Sequence, residues 1–454
     1  MKVTIIGAAG VRTPGIIESF LRRQKNIGCD ELCLMDIDGE RLGLVSRLTE
    51  HLEKKNEGNL KISRTTDAKQ ALIDADFVIT TFRVGGIDSR VIDERVALQN
   101  GVLGQETTGP GGFAMAMRTI PVLMDYIRIM EDCCPDAWLL NFANPSGMLA
   151  ESILRVAGWE RAVGICDGPS SMRQAAAKLL HAKVDDIYLD YFGLNHLGWI
   201  RKILFNGKDV MPLFLEQMEN GNIPEELPFS VHTFRSLKMI PNEYNYYFYS
   251  SKKSVNLILR AEKSRGEQIA EMNHQFFNDL RMNRIDDSAL FRIYQEYLKK
   301  RWATYMKTET GNPTEEMKAS AEEVQTQAEE GYAGVALDLI EGLHGIRTQI
   351  LILNVLNHGA IDGMPADASV ELPVFVNSGL IRPMNVGSIP EECLGLMKQV
   401  KSYERLTIEA AVEGSLEKAL HALTIHPLVA DETLAEKLLL EYREAHGANF
   451  PRLN

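Results

Sequence analysis

Two short segments carry the residues best suited to chemistry, Gly164–Pro169 (GICDGP) and Tyr191–Trp199 (YFGLNHLGW). They set Cys166 and His196 thirty residues apart, shortly after Asn141–Gly147 (NFANPSG). A thiolate and an imidazole can hold one divalent metal. The chain upstream reads as a nucleotide-binding βαβ unit. A metal beside a bound dinucleotide suggests redox chemistry on a hydroxyl-bearing substrate.

The elements that position these residues come from two alternating periodicities between Met1 and about Ser170. Lys2–Ile6 is a short β-branched run ending at Gly7-Ala8-Ala9-Gly10. Thr13-Pro14 supplies an N-cap and a first-turn proline, and Ile16, Ile17, Phe20 and Leu21 recur at helical spacing. Glu31–Met35 is a second strand closing on Asp36, and a helix with Leu44, Val45, Leu48 and Leu52 follows. Further strands are expected at Phe77–Phe82, Trp138–Asn141 and Ala162–Cys166. Strands alternating with helices imply a parallel sheet built from right-handed crossovers. A glycine turn between strand and helix lets backbone N–H groups approach a pyrophosphate, which selects Gly7, Ala9 and Gly10. Asp36 stands where an acid accepts hydrogen bonds from a ribose diol, favouring NAD over NADP. The pattern is G-A-A-G, with Ala9 at the second glycine position. Gly7 and Asp36 also lie further apart than the usual roughly twenty residues.

Composition sets the frame. The chain of 454 residues is 45% hydrophobic and 24% charged, ordinary globular composition with room for two or three domains. A net charge of −13 argues against a nucleic-acid surface. Without a long apolar run or a leader pattern, neither a membrane span nor a signal peptide is expected. The six cysteines form no C-x-x-C pair, which points to a reduced, cytoplasmic protein.

Beyond the βαβ region, Asp190–His196 reads as a strand and Trp199–Val210 as a hairpin around Asn206-Gly207. Met211–Pro241 reads as loop-rich. Long helical patterns follow at Val255–Leu280, Leu290–Met306, Glu315–Asn357, Glu391–Glu413 and Ser415–Leu423. The expected fold is α/β, with a Rossmann-like NAD-binding domain of the lactate/malate dehydrogenase type over residues 1–170. An α-rich α+β domain for substrate, metal and oligomer contacts is expected over residues 171–454.

The ordered segments FRVGGIDSRVIDER (Phe82–Arg95), GVLGQETTGPGG (Gly101–Gly112), NFANPSG, GICDGP, GLNHLGW and IPNEYNYYFY (Ile240–Tyr249) resemble glycoside hydrolase family 4. The resemblance runs from Met1 to VELPVFV (Val370–Val376), nearly the whole chain. Members of that family are NAD- and divalent-metal-dependent glycosidases, many acting on sugars phosphorylated at carbon 6. They stand outside the two-carboxylate scheme of most glycosidases. The resemblance implies that Cys166 and His196 hold Mn²⁺ or another divalent metal, leaving its other positions to water and two sugar hydroxyls. It further implies oxidation at carbon 3 by NAD⁺, removal of the carbon-2 proton, elimination of the glycosidic oxygen, water addition and re-reduction. Tyr244 matches the family's base, with Tyr246, Tyr247 and Tyr249 as competitors in the same run. Arg90, Asn144 and Arg265 match the sugar pocket, with Arg95 as a further cation beside Asp93 and Glu94. Which arginine meets the 6-phosphate stays open. Gln105-Glu106-Thr107 with Gly109–Gly112 resembles a loop closing over the nicotinamide.

Asp167 departs from the β-specific branch, which usually carries asparagine after the metal cysteine. An aspartate there resembles the α-specific branch, where it serves as general acid, whereas RVGG, DER and NPSG look like the β branch. The expected activity is therefore a 6-phospho-β-glucosidase acting on a phosphorylated disaccharide or aryl glucoside. Alternatives are a 6-phospho-α-glucosidase or other family 4 glycosidase, an NAD-dependent 2-hydroxyacid dehydrogenase, and a non-catalytic sugar-phosphate or NAD-binding protein. The resemblance also implies a homodimer or homotetramer.

Overall fold

The short β-branched runs at the start of the chain become the buried centre of a sheet. The computed structural model describes residues 1–55, 60–282, 287–311 and 333–454. Strands β1 (Lys2–Ile6), β2 (Glu31–Met35), β3 (Lys61–Thr65), β4 (Phe77–Thr80), β5 (Trp138–Asn141) and β6 (Ala162–Gly164) lie parallel. Their spatial order is β3-β2-β1-β4-β5-β6, the doubly wound arrangement of dinucleotide-binding folds. Val3, Ile5, Leu32, Val78, Ile79, Leu139 and Leu140 are fully buried, as strands covered by helices on both faces require. Strand β3 escapes the sequence reading because KISRT is a polar strand at the end of the sheet.

The sheet does not stop at β6. Among the described residues, seven strands later in the chain extend it: β7 (Ile187–Leu194), β8 (Leu197–Phe205), β9 (Lys208–Asp209), β10 (Ile240–Pro241), β11 (Gln349–Leu356), β12 (Ser369–Asn377) and β13 (Leu380–Pro383). Strand β11 joins β6 antiparallel at Asn354↔Gly164, and β12 joins β7 at Glu371↔Gly193. A Cβ on Gly164 would lie 2.9 Å from both the Asn354 and Ala150 side chains, so the crossing two residues before Cys166 needs glycine.

Several expected boundaries move. Within the Glu315–Asn357 pattern, residues 315–332 lie outside the described residues. Gly334–Leu343 is helical and buries Val335, Leu339, Ile340 and Leu343, but Gln349–Leu356 is strand β11. A short apolar run such as QILILNVL fits buried helix or buried strand equally well by periodicity. The Val255–Leu280 pattern divides into helices Ser251–Arg260 and Arg265–Arg281, because Ser264 and Glu267 form a capping box that starts a new helix. Leu290–Met306 is helical as Asp287–Ala303, Glu391–Glu413 is a helix throughout, and Ser415 caps Leu416–Ile425. Met211–Pro241 carries helices Met211–Glu219 and Val231–Leu237 rather than loops alone. The Asn206-Gly207 hairpin forms as expected, both residues having positive φ. The first helix, Thr13–Ile27, has Arg12 rather than Thr13 at its N-cap, and no side chain caps it.

A buried ion-pair cluster fixes the helix that carries Arg90. Arg118, on helix Pro110–Cys133, forks onto Asp93 of helix Gly86–Gln99 at 2.6 and 2.7 Å. His446 Nε2, at the end of helix Glu432–His446, lies 2.9 Å from Asp93 Oδ1, and the Arg118, Asp93 and His446 side chains are all 0% exposed. Tyr442 donates to the Asp93 carbonyl at 3.0 Å. Removing one partner strands the other charge in a dry interior, at a cost of about 3–5 kcal/mol. Arg118→Met is expected to lower unfolding stability by that amount in urea titrations; an unchanged midpoint would show that the cluster contributes nothing.

Candidate active site

The strand order reverses between β1 and β4, the point at which open parallel sheets bind ligands. Gly7 follows β1 with φ +94°, and a Cβ there would lie 2.5 Å from the Phe82 nitrogen. The Asp36 carboxylate closes the turn from the side, accepting the Ala9 N–H at 2.9 Å and the Asp38 N–H at 3.0 Å. Gly7, Ala9, Gly10 and Asp36 therefore form one cradle despite their long separation in sequence. Backbone N–H groups, a glycine with no room for a side chain, and a carboxylate acceptor fit the pyrophosphate and ribose of a dinucleotide.

Cys166 and His196 meet beyond the ends of β6 and β7. Cys166 follows β6 and precedes helix Gly168–Leu179. His196 does not lie in a strand, as the sequence suggested. It occupies the tight β7–β8 turn with φ +62°, a conformation uncommon for a side chain other than glycine. The turn aims Nε2 at Cys166 Sγ, 3.6 Å away. With nitrogen and sulfur bonds of about 2.1 and 2.3 Å, a tetrahedral angle separates two ligand atoms by roughly 3.6 Å. The pair thus has the spacing of two ligands on one ion. Burial lowers the His196 pKa to about 4, leaving a neutral imidazole at neutral pH. Burial, helped by Glu371 and Asp167, pushes the Cys166 thiol well above its ordinary range. A divalent cation would reverse that preference and release the thiol proton.

Tyr244 stacks on His196, with ring centroids 3.9 Å apart and planes within 3°. Its hydroxyl accepts from Tyr305 at 3.2 Å. Tyr246 and Tyr247 are buried and Tyr249 is bound by the Trp199 indole, so Tyr244 is the member of the run against the metal-type pair. Asp167 occupies the position just before helix Gly168–Leu179 and is half-buried beside Cys166. Asn144 precedes a cis peptide to Pro145, and its side chain accepts the Ser146 N–H at 3.3 Å.

The arginines separate. Arg90 is buried between Glu94 at 2.8 Å and Glu106 at 3.0 Å, and Arg83 also pairs with Glu106. These cations hold the Glu106 carboxyl far below the ordinary range, against its burial. Glu106 is therefore an anion that organises arginines. Arg265 begins helix Arg265–Arg281 and bonds Thr304 and the Arg301 carbonyl. Burial, with Arg301 and Arg90 nearby, lowers its pKa to about 10. Arg95 does not join this group: its side chain is 60% exposed and paired with Glu267.

Sequence reasoning missed Arg83, Tyr305, Glu371 and Glu243. Glu371 takes hydrogen bonds from Tyr191, Asn195 and Asn354 beneath the metal-type pair. Glu243 stands next to Tyr244 in IPNEY, a signal that was available; Tyr305 has no local motif. Glu243 keeps some exposed surface, yet enough protein surrounds it for desolvation to raise its pKa to about 7, aided by Asp167 and Glu371.

A doubly wound nucleotide fold with a buried Cys–His pair at metal-ligand spacing defines a dinucleotide- and metal-dependent class of enzyme. Comparison with known proteins narrows the class. The model described as Family 4 glycosyl hydrolase matches residues 2–182, and that of its C-terminal domain matches residues 191–429. The chain belongs to glycoside hydrolase family 4. A probable 6-phospho-beta-glucosidase from Bacillus subtilis (strain 168) is 32% identical over 468 residues, covering 100% of this chain and 98% of that protein. The 6-phospho-beta-glucosidase of Thermotoga maritima, solved with NAD and glucose-6-phosphate, is similar at a TM-score of 0.85 and 29% identity, with 100% of both chains covered. A 6-phospho-alpha-glucosidase from gut microorganisms, solved with NAD and Mn²⁺, gives 0.82 and 27%, covering 100% of this chain and 99% of that one. A lactate dehydrogenase from a deep-sea metagenome shares the fold alone, at 0.51 and 14%, covering 90% of this chain and 98% of that one. Among the described residues, no helix is long and apolar enough to cross a membrane.

A carboxyl whose folded pKa is raised binds more protons folded than unfolded, so stability falls as pH rises from about 4.5 to 7. Glu243→Gln removes that loss. In metal-free protein the variant is expected to gain on wild type in chemical unfolding between pH 4 and pH 8. A constant difference across that range would place the Glu243 carboxyl in water.

Proposed function

We propose that this chain is a 6-phospho-β-glucosidase requiring NAD⁺ and a divalent metal, with a phosphorylated disaccharide or aryl glucoside as substrate. The observation that carries the reading is the stack of Tyr244 on His196, which puts a candidate base beside a candidate metal centre. When bound, NAD⁺ would supply hydride acceptance at a sugar carbon and Mn²⁺ would supply Lewis acidity. Cys166 and His196 hold the metal, and Gly7, Ala9, Gly10 and Asp36 hold the cofactor. Tyr244 takes the carbon-2 proton. A phenol with an ordinary pKa of about 10 works as a base only beside a cation, and a divalent metal held by the neutral His196 would supply one. Asp167, near the start of helix Gly168–Leu179, delivers a proton to the departing oxygen. Arg90, Asn144 and Arg265 bind sugar hydroxyls and phosphate, while Arg95, turned outward to Glu267, takes no part.

Residues 1–170 serve as the nucleotide domain and residues 171–454 supply substrate, metal and subunit contacts. The protein works in the cytoplasm as a homodimer or homotetramer. The B. subtilis and T. maritima relatives support the β-linked reading. Asp167 and the likeness to a 6-phospho-alpha-glucosidase favour the α-linked one as the second reading.

Nitrophenyl 6-phospho-β- and α-glucosides, each assayed with NAD⁺ or Mn²⁺ omitted, test the function. Turnover is expected with the β substrate and to vanish on either omission, without net NADH; preference for the α substrate would overturn the anomeric assignment. Tyr244→Phe is expected to lower kcat by about 10²–10⁴-fold, the usual worth of a positioned base. A loss under threefold would remove Tyr244 from that role.

A further inference from the structure

Behind His196, on the side away from Cys166, lies a buried hydrogen-bonded chain. Gln105, Thr107 and His196 are 6%, 8% and 8% exposed. The Gln105 side-chain oxygen accepts the backbone N–H groups of Thr107 at 2.6 Å and Thr108 at 2.5 Å. Two N–H donors fix this end of the amide as oxygen, since its nitrogen could not face them. The Thr107 hydroxyl lies 3.0 Å from that oxygen and 2.8 Å from His196 Nδ1.

A threonine hydroxyl has one proton to donate. Given to the Gln105 oxygen, it leaves Thr107 Oγ1 as an acceptor, and His196 Nδ1 must then carry the ring proton. Pointed at Nδ1 instead, it would leave the two oxygens 3.0 Å apart with no proton between them. The first arrangement leaves Nε2 unprotonated where it faces Cys166 Sγ. We propose that Gln105 and Thr107 are positioning residues that hold His196 as its Nδ1-protonated tautomer and present Nε2 to a divalent metal. Metal-ligating histidines generally depend on such a partner for orientation and basicity. The inference rests on the metal-centre reading above.

The GPGG motif acquires a use from this loop. A Cβ on Gly111 would lie 2.2 Å from the Gln105 carbonyl oxygen, and one on Gly112 2.1 Å from that of Thr107. The two glycines let residues 105–107 rest on the first turn of helix Pro110–Cys133. Glu106, between the two positioning residues, pairs with Arg83 and Arg90. One short loop thus anchors the metal ligand on one side and the arginines on the other.

The test measures Mn²⁺ affinity by electron paramagnetic resonance of the free ion, under reductant, for wild type, Thr107→Val, Thr107→Ser and Cys166→Ser. Thr107→Val is expected to bind about 10–100-fold more weakly, and Thr107→Ser to restore most of the loss. Valine matching wild type, or serine as defective as valine, would overturn the inference. If Cys166→Ser abolishes uptake while Thr107→Val does not alter it, the tautomer role alone fails. No uptake by wild type would sink the metal centre and this inference together. In ¹⁵N-histidine-labelled wild type without metal, the His196 proton is expected on Nδ1, a readout independent of how any variant folds. A proton found on Nε2 would overturn the inference directly.

Discussion

Cys166 sits where its own ionisation is opposed. It is buried, Glu371 and Asp167 lie close by, and all three effects favour the thiol over the thiolate. A group in that position is inert until a cation arrives. His196 answers with a neutral imidazole, because burial keeps it from adding a second positive charge. The two side chains stand 3.6 Å apart, the spacing of two ligands on one ion.

The sheet does this by bringing distant segments together at its strand ends. Cys166 arrives after β6 and His196 at the β7–β8 turn, and β11 and β12 lie between these strands in the sheet. Gly164 permits the close crossing of β6 and β11. The Gly104–Gly112 loop binds His196 from behind, while its Glu106 gathers Arg83 and Arg90. The Asp93–Arg118–His446 cluster fixes the Arg90 helix against the last helix of the chain. Metal side and arginine side are joined by short, buried contacts.

Much of this was legible in the sequence. The strand–glycine–helix alternation revealed the parallel sheet, and the ordered motifs marked Cys166, His196 and Tyr244. Legibility failed where information was non-local. Strand β11 looked helical because buried apolar runs lack a distinguishing period. Tyr305 carries no motif, and its approach to Tyr244 depends on how the Asp287–Ala303 helix ends. Arg95 reads like Arg90, but the two lie five positions apart on one helix, which turns Arg95 outward to Glu267. The arginine partners of Glu106 and the His196 partner of Thr107 could not be read from GQETTG, since they arrive from the segment after β4, the Gly86–Gln99 helix and the β7–β8 turn.

In the proposed reaction Tyr244, beside the Cys166–His196 pair, removes the carbon-2 proton before the glycosidic bond breaks. Turnover of a 6-phospho-β-glucoside in D₂O, with NAD⁺ and Mn²⁺ present and the sugar phosphate examined by mass spectrometry and NMR, tests this most directly. Proton removal by this route leaves solvent deuterium at carbon 2 of the released glucose 6-phosphate. Product formed at full rate with its original hydrogen at carbon 2 would contradict it.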